Sequence, residues 1–345
     1  MSRACLVVQE AGPAVTVQDL GRAGYQRYGV AEGGAVDRLA MAEGAALVGN
    51  APSDAALELF GLGGRFTIEN GPVRIALTGA TMPATVDGDP VPWRSAFLLE
   101  PGQVLGIGPA IGGNYGYLHV GGGLDTPPVL GSRSTHLRAR LGGVDGRALR
   151  TGDRLSIAPQ NPDSLRDDRL HASTLAHPRP AVPNRIRFLW GSQAHWFSEA
   201  ERARFLGMTF TVTAKLDRMG VRLKPGGDPI HSDLGLSGLS DAVCLGDIQI
   251  PGDGEPAILL ADRQPTGGYP RIATILSPDL DHVVQCRPGT ELRFAAVTPD
   301  EAVDILRARR TYIAGLNRLV VPLRRDPRDI PNLLDYNLIS GVVSP

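Results

Sequence analysis

Cysteine, lysine and aromatic side chains are scarce in this 345-residue chain. Cys5, Cys244 and Cys286 are odd in number, far apart and without metal-ligand spacing. That argues against a disulfide framework and predicts a reducing compartment. Lysine occurs only at Lys215 and Lys224. Neither sits in a Gly-x-x-x-x-Gly-Lys-Ser/Thr loop, which excludes a Walker-type ATP site in this chain. Neither is flanked by methionines, so the chain itself is expected to carry no biotin. An excess of either charge is also missing, because 35 basic and 36 acidic side chains leave a net charge of −1. Neither nucleic acid nor an anionic membrane is therefore implied as a partner. No apolar run reaches the length of a membrane span, and the run in MSRACLVVQEAG is too short for a signal peptide. A cytoplasmic protein is the expectation.

What the chain does have is glycine and proline, 43 and 28 residues, punctuating short apolar runs. This pattern predicts a mainly β protein with many tight turns. The length allows two lobes, at roughly 100–200 residues per domain. Strands are expected over 4–8, 15–18, 73–78, 104–107, 116–120 and 154–158. Between them a helix should start after Asp37 as N-cap and stop at Gly49-Asn50, ahead of Pro52. The polar, Pro-rich stretch 161–184 reads as a linker between an N-terminal lobe, 1–160, and a C-terminal lobe, 185–320. Expected strands of the second lobe are 185–190, 209–213, 247–250, 257–260, 271–276 and 290–295. Capping boxes at Ser198/Glu201 and Thr298/Glu301 predict two helices, the second reaching about residue 318. Strands of this length with scattered helices favour small barrels over a doubly wound sheet. Residues 321–345 form a tail with a basic patch and an apolar end, suited to packing on a lobe or on a partner chain.

The densest chemistry lies in residues 258–276, ILLADRQPTGGYPRIATIL. Two apolar strand-like runs flank Asp262, Arg263, Gln264, Thr266, Gly267, Gly268 and Tyr269, far more polar functionality than a turn requires. One reading is a hairpin closed by an ion pair. The other is a ligand-facing loop whose glycines admit close backbone approach. Near the N-terminus, TVQDLGRAGYQRYGVAEGGAVD gathers Gln18, Asp19 and Arg22 among glycines. There Arg22 suits either a substrate carboxylate or Asp19 itself. Gly131-Ser132-Arg133-Ser134-Thr135 offers successive N–H groups, hydroxyls and a guanidinium to an anion. Asp217-Arg218 echoes Asp262-Arg263, and the two pairs could bracket a polar ligand. The histidines show no metal-binding spacing, so no metal site is expected.

Taken in order, TVQDLGRAGYQRYGVAEGGAVD, ALTGA, HVGGGLDTPPVLGSRST, LDRMGVRL and the 258–276 block resemble one family. It is the biotin-dependent carboxyltransferase-like family, also called allophanate hydrolase subunit 2 or KipA-like, and within it the group of C-type subunits of 5-oxoprolinase. The resemblance spans about residues 6–297. It implies two cyclophilin-like β-barrel lobes with a few helices. It also implies a heteromeric complex with two partner chains, a KipI-like B-type subunit and an A-type subunit. Such a complex opens the lactam of 5-oxo-L-proline to L-glutamate and consumes ATP. It implies catalytic roles for Asp262, Arg263, Asp19 and Arg22. Substrate binding would fall to Gln18, Gln264, Thr266, Gly267, Gly268, Tyr269, Asp217, Arg218, Ser132, Arg133 and Ser134. Two alternatives stay open: a carboxyltransferase component of a biotin-dependent urea or amide carboxylase, and a regulatory protein that binds a KipI-like inhibitor.

Overall fold

A computed structural model describes residues 3–160, 172–181, 183–233, 235 and 240–323. Part of the expected linker (161–171 and 182) and most of the expected tail (324–345) fall outside the described residues. The architecture is mainly β, as the punctuated apolar runs predict.

The first half of the chain folds into two antiparallel sheets packed face to face. One has six strands in the order Arg154–Ser156, Cys5–Ala11, Leu62–Glu69, Val104–Pro109, Ala84–Val86, Asp89–Pro90. The other has seven, in the order Val15–Gln18, Ala56–Phe60, Gly112–Val120, Val73–Thr81, Ser95–Leu99, Ser173–Leu175, Val320–Pro322. Chain segments pass directly between the sheets. Ala56–Phe60 runs into Leu62–Glu69 across Gly61 alone, whose φ of +71° admits the corner without steric cost. Leu6, Val8, Phe66, Ile75, Leu77, Leu105 and Leu118, all buried, fill the space between them.

Strands of the second half form one eight-stranded sheet, in the order Glu291–Leu292, Phe210–Leu216, Gly220–Pro225, Ala257–Leu259, Asp247–Gln249, Arg271–Ile275, Ile186–Trp190, Phe294–Ala296. Its two edge strands are separated in sequence only by Arg293, so the sheet curls almost into a closed barrel. Phe188, Phe205, Phe210 and Phe294 form its aromatic centre, with Phe205 stacked on Phe294 at 5.1 Å between ring centroids. The same apolar core takes in Met41, Tyr115 and Tyr117 from the first half, so the two halves share buried surface.

Among the described residues, four α-helices decorate the sheets. Helix α1 (Arg38–Val48) starts where Asp37 accepts a 2.9 Å hydrogen bond from the Ala40 N–H and stops at left-handed Gly49. Helix α2 (Glu199–Gly207) is capped by Ser198. The expected reciprocal bond is replaced: the Glu201 carboxylate accepts from Arg204 and from the His231 N–H instead. Helix α3 (Ser277–Val283) was not legible as a separate element, and α4 (Pro299–Gly315) carries the complete Thr298/Glu301 capping box. The α4 helix ends earlier than expected, giving way to a 3-10 turn over Leu316–Leu319.

Helix α1 lies at the seam between the halves. The Asp281 carboxylate of α3 accepts from the Leu39 N–H at 3.2 Å, and Gln285 donates to Asp37 at 2.7 Å. The stretches around the expected boundaries hold two further strands. The linker contains Ser173–Leu175, and Val320–Pro322 returns to pair with it, extending the N-terminal sheet.

The hairpin reading of residues 258–276 is overturned. Ala257–Leu259 and Arg271–Ile275 are not neighbours, because Asp247–Gln249 lies between them and pairs with both. The first strand also ends at Leu259, before Asp262 and Gln264. The intervening loop makes its own short pairing, Thr266–Gly267 with Asp241–Ala242.

Candidate functional site

The strand Val15–Gln18 delivers Asp19 into a nest of donors. The carboxylate of Asp19 accepts from the Gly21 N–H at 2.7 Å, the Ser132 hydroxyl at 2.6 Å and the Arg133 N–H at 2.6 Å. It also accepts from the Ser134 hydroxyl. The Gly131–Thr135 run therefore does supply N–H and hydroxyl donors to an anion, and that anion is Asp19. With its oxygens taken by these donors, Asp19 positions the two loops. Gln18, fully buried, donates to the Thr135 carbonyl at 3.0 Å and to the Thr16 hydroxyl at 3.1 Å.

Arg22 does not pair with Asp19. Its guanidinium is 1% exposed and donates through Nη2 to the Ser134 carbonyl, while Nε and Nη1 have no hydrogen-bond partner among the described residues. Burial lowers the Arg22 pKa from its ordinary value, against the opposing pull of the Asp19 and Asp262 carboxylates. A buried arginine with two free donor atoms is costly to keep unless something accepts from it. The loop carrying Gly33 passes between the halves here: a Cβ on Gly33 would fall 3.1 Å from Arg22 Nη1 and 3.7 Å from Asp262 Oδ1. With a φ of +64°, Gly33 also takes a left-handed backbone that a side chain would strain.

Asp262 is 6% exposed and is clamped by Arg218 through two hydrogen bonds of 2.9 Å each. Arg218 also donates to Glu58 and, at 2.8 Å, to the Gly34 carbonyl. Burial opposes the charge on Arg218, but Glu58 and Asp262 override it and hold the pKa well above the ordinary arginine value. The second Glu58 oxygen accepts from the Tyr117 hydroxyl at 2.6 Å and from the Val36 N–H at 3.0 Å. Burial and the Glu58 carboxylate together push Tyr117 well above a normal phenol, keeping it a neutral donor. His136 is also buried beside this group, its pKa lowered by burial against the pull of Asp262.

The structure thus brings together Gln18, Asp19, Arg22, Ser132, Ser134, Arg218 and Asp262, from both halves of the chain. Other expected residues lie apart. Arg263 is buried and donates to the Val243 and Leu260 carbonyls at 3.3 and 3.4 Å, with burial lowering its pKa. Asp217 is exposed and caps its own turn by accepting from the Met219 and Gly220 N–H groups. Arg133 pairs outward with Asp125 at 2.5 Å. Gln264 donates to Gln249 at 3.3 Å, and Thr266 and Tyr269 face solvent, with Gly267 and Gly268 half-buried between them. This loop is tied to the N-terminal half by Gln26, which donates to the Val243 and Pro265 carbonyls at 2.7 and 2.8 Å.

Glu58 and Tyr117 escaped the sequence reading. A carboxylate inside the buried strand ALELF was the available signal, since buried charges are paired.

Chemically, the arrangement can accept an anion at Arg22, whose positive charge lies beside the ion-paired Asp262–Arg218–Glu58 array. Arg22 and Asp262 are closed over in this conformation, so a ligand reaches them only if a flanking loop moves. Among the described residues no helix is long and apolar enough to cross a membrane.

Residues 28–296 match the family described as carboxyltransferase domain, subdomain A and B. The chain is 36% identical over 307 residues to the C-type subunit of 5-oxoprolinase from Haemophilus influenzae, a match covering 88% of this chain and 95% of that one. Its identity to the C-type subunit of 5-oxoprolinase from Escherichia coli is 35% over 314 residues, covering 90% and 97%. The crystal structure of the K. lactis urea amidolyase superposes with a TM-score of 0.79 at 25% identity, over 95% of this chain but 21% of that protein. With a matched segment spanning most of its length and two relatives aligned nearly end to end, the chain belongs to the carboxyltransferase family of subdomains A and B.

Proposed function

We propose that this protein is the C-type subunit of a cytoplasmic 5-oxoprolinase complex that opens 5-oxo-L-proline to L-glutamate with consumption of ATP. The observation that carries the proposal is Arg22, buried beside Asp262 with two donor atoms that have no partner among the described residues. A lactam acid presents a carboxylate and a developing oxyanion to such a group. The end-to-end similarity to proteins named as C-type subunits of 5-oxoprolinase supports membership of such a complex.

Lactam opening is driven by transferring the terminal phosphoryl group of ATP to the amide oxygen, which makes the ring carbon electrophilic. Water then adds at that carbon, the ring C–N bond breaks with the nitrogen taking a proton, and a second water hydrolyses the resulting acyl phosphate, releasing phosphate and leaving the new carboxylate. Without a P-loop lysine, this chain leaves the nucleotide to its two partner chains, the A-type subunit and the KipI-like B-type subunit. Its own part is to hold the carboxylate at Arg22, with Arg218 fixing Asp262 where it can orient water. Gln264, Thr266, Gly267, Gly268 and Tyr269 form the face through which substrate enters.

The test is ATP-dependent glutamate release from 5-oxoproline by the chain purified together with both partner chains. Release from the complete complex, with no ATPase in the isolated chain, is the expected result. No release from the complete complex would sink the proposal. The likeness to urea amidolyase supports a second reading, in which the same cleft receives carboxybiotin from another chain. Carboxylation of urea or an amide by a complex containing a biotin carrier would favour that reading instead.

A further inference from the structure

Behind the Arg22 site lies an open cavity of about 500 Å³ that the proposed reaction does not use. Its floor is the glycine-rich segment Gly142-Gly143-Val144-Asp145-Gly146, and its rim includes Thr126, Arg140 and Arg154. The floor is thin. A Cβ on Gly142 would meet Arg22 Nη2 at 2.9 Å and the Ser134 carbonyl oxygen at 2.2 Å, so one layer of backbone separates the cavity from the buried guanidinium.

The charges around the cavity are mostly spent. Arg154 is paired with Glu69, and Asp125 with Arg3 and Arg133. Two charges are left facing the opening. Arg140 is exposed and has no ion pair or side-chain hydrogen bond among the described residues. Asp145 is 84% exposed, with only a distant contact of 3.9 Å to Arg147, whose guanidinium is already held by Asp153 at 2.7 and 2.8 Å. Both Arg140 and Asp145 take left-handed backbone, φ +51° and +53°, a conformation non-glycine residues adopt reluctantly and one that recurs at ligand clamps. The third feature is Thr126. It is 6% exposed and lines the cavity, and its hydroxyl has no hydrogen-bond partner among the described residues. Pro127, Val129 and Leu155 complete the wall with apolar surface.

We infer that this cavity is a binding site for a small zwitterionic amino acid, with Arg140 taking the carboxylate, Asp145 the ammonium group and Thr126 one further hydrogen bond. One free cation, one free anion and one orphaned buried hydroxyl are what such a ligand complements, whereas a simple anion would leave Asp145 repelling it. The inference stands on the cavity lining and is independent of the reaction assigned to the Arg22 site.

Calorimetric titration of the full-length chain tests it, with L-glutamate as probe, glutarate as an analogue lacking the ammonium group, and inorganic phosphate as a plain anion. Saturable L-glutamate binding is expected, weakened at least tenfold by Arg140→Asn, a replacement that tolerates left-handed backbone. Asp145→Asn should weaken L-glutamate several-fold and leave glutarate unchanged or tighter. Thr126→Val, nearly isosteric, should weaken both while leaving the fold intact by circular dichroism. Absence of L-glutamate binding would overturn the inference, as would binding indifferent to Arg140→Asn and Thr126→Val. Phosphate or glutarate binding as tightly as L-glutamate would overturn the zwitterion assignment. Glutamate release by the complex would leave each of these outcomes unchanged, so the two proposals fail separately.

Discussion

Arg218 and Asp262 face each other across two hydrogen bonds of 2.9 Å, one from Nε and one from Nη2, and the third nitrogen of the same guanidinium reaches Glu58. One cation therefore bridges two carboxylates, one from each half of the chain. The Glu58 and Asp262 side chains are 1% and 7% exposed, so neither carboxylate has water as an alternative partner.

Arg218→Ala is accordingly expected to destabilise the protein by about 3–5 kcal/mol, because it leaves two buried carboxylates unpaired. Arg218→Lys should recover little of this loss, since an ammonium group cannot reproduce the forked contact to Asp262 while also reaching Glu58. Denaturant unfolding midpoints of the three proteins check this. A midpoint for Arg218→Ala within error of the unaltered protein would show that the pair does not hold the halves together.

Arg22 should behave in the opposite way. Two of its donor atoms are buried without partners among the described residues, so the folded state gains little from its charge. Arg22→Met is expected to change stability by less than about 1 kcal/mol in either direction. The same change should lower turnover of the assembled complex by roughly 100-fold or more, as loss of an oxyanion-stabilising donor does. Thermal melts together with glutamate release distinguish the two effects; a large loss of stability with retained turnover would make Arg22 structural.

Elements marked by local chemistry were legible in the sequence. Asp37 and the Gly49-Asn50 stop delimit α1, and the Thr298/Glu301 box starts α4, because caps satisfy backbone groups within a few residues. The strands Ala56–Phe60 and Leu62–Glu69 were not legible. Glu58 interrupts one apolar run and Gly63-Gly64 the other, and the reason for both lies in distant partners. Strand order was hidden for the same reason: nothing between residues 258 and 276 announces that Asp247–Gln249 inserts between the flanking strands. At the site, the chemistry of Asp262, Arg218, Asp19 and Arg22 was legible as composition, but not their pairing. Local sequence suggests Asp19 with Arg22 and Asp262 with Arg263. The fold instead joins Asp262 to Arg218, 44 residues away, and Asp19 to Ser132 and Ser134, more than 110 residues away.

His119 gives the protein a defined response to acid. It is 1% exposed, and burial pushes its pKa down to about 3. The unfolded chain titrates near 6.5, so between these values the unfolded state binds one more proton than the folded state. Stability from this residue is complete above about pH 6.5 and falls by about 1.4 kcal/mol per pH unit as the solution is acidified toward pH 3. Unfolding midpoints at pH 7.5, 6 and 5 should therefore decline more steeply for the unaltered protein than for His119→Gln. Parallel pH profiles would mean that His119 is protonated within the fold.

The same histidine explains a glycine in the middle of α1. A Cβ on Gly44 would fall 2.0 Å from His119 Cδ2 and 2.1 Å from Nε2, closer than packed atoms approach. Intrinsic propensity favours alanine over glycine inside a helix by about 1 kcal/mol. Overpacking opposes it, at about 1–3 kcal/mol or more where the neighbour cannot yield, and the buried His119 ring has no space to move into. Gly44→Ala is expected to destabilise on balance by about 1–2 kcal/mol. His119→Ala removes the obstructing ring and leaves a cavity that the new methyl partly fills. The double variant should thus be more stable than the sum of the two single effects predicts, by at least about 1 kcal/mol in a double-mutant cycle. Strict additivity would show that α1 and the strand Gly112–Val120 are not in the close contact that excludes a side chain at position 44.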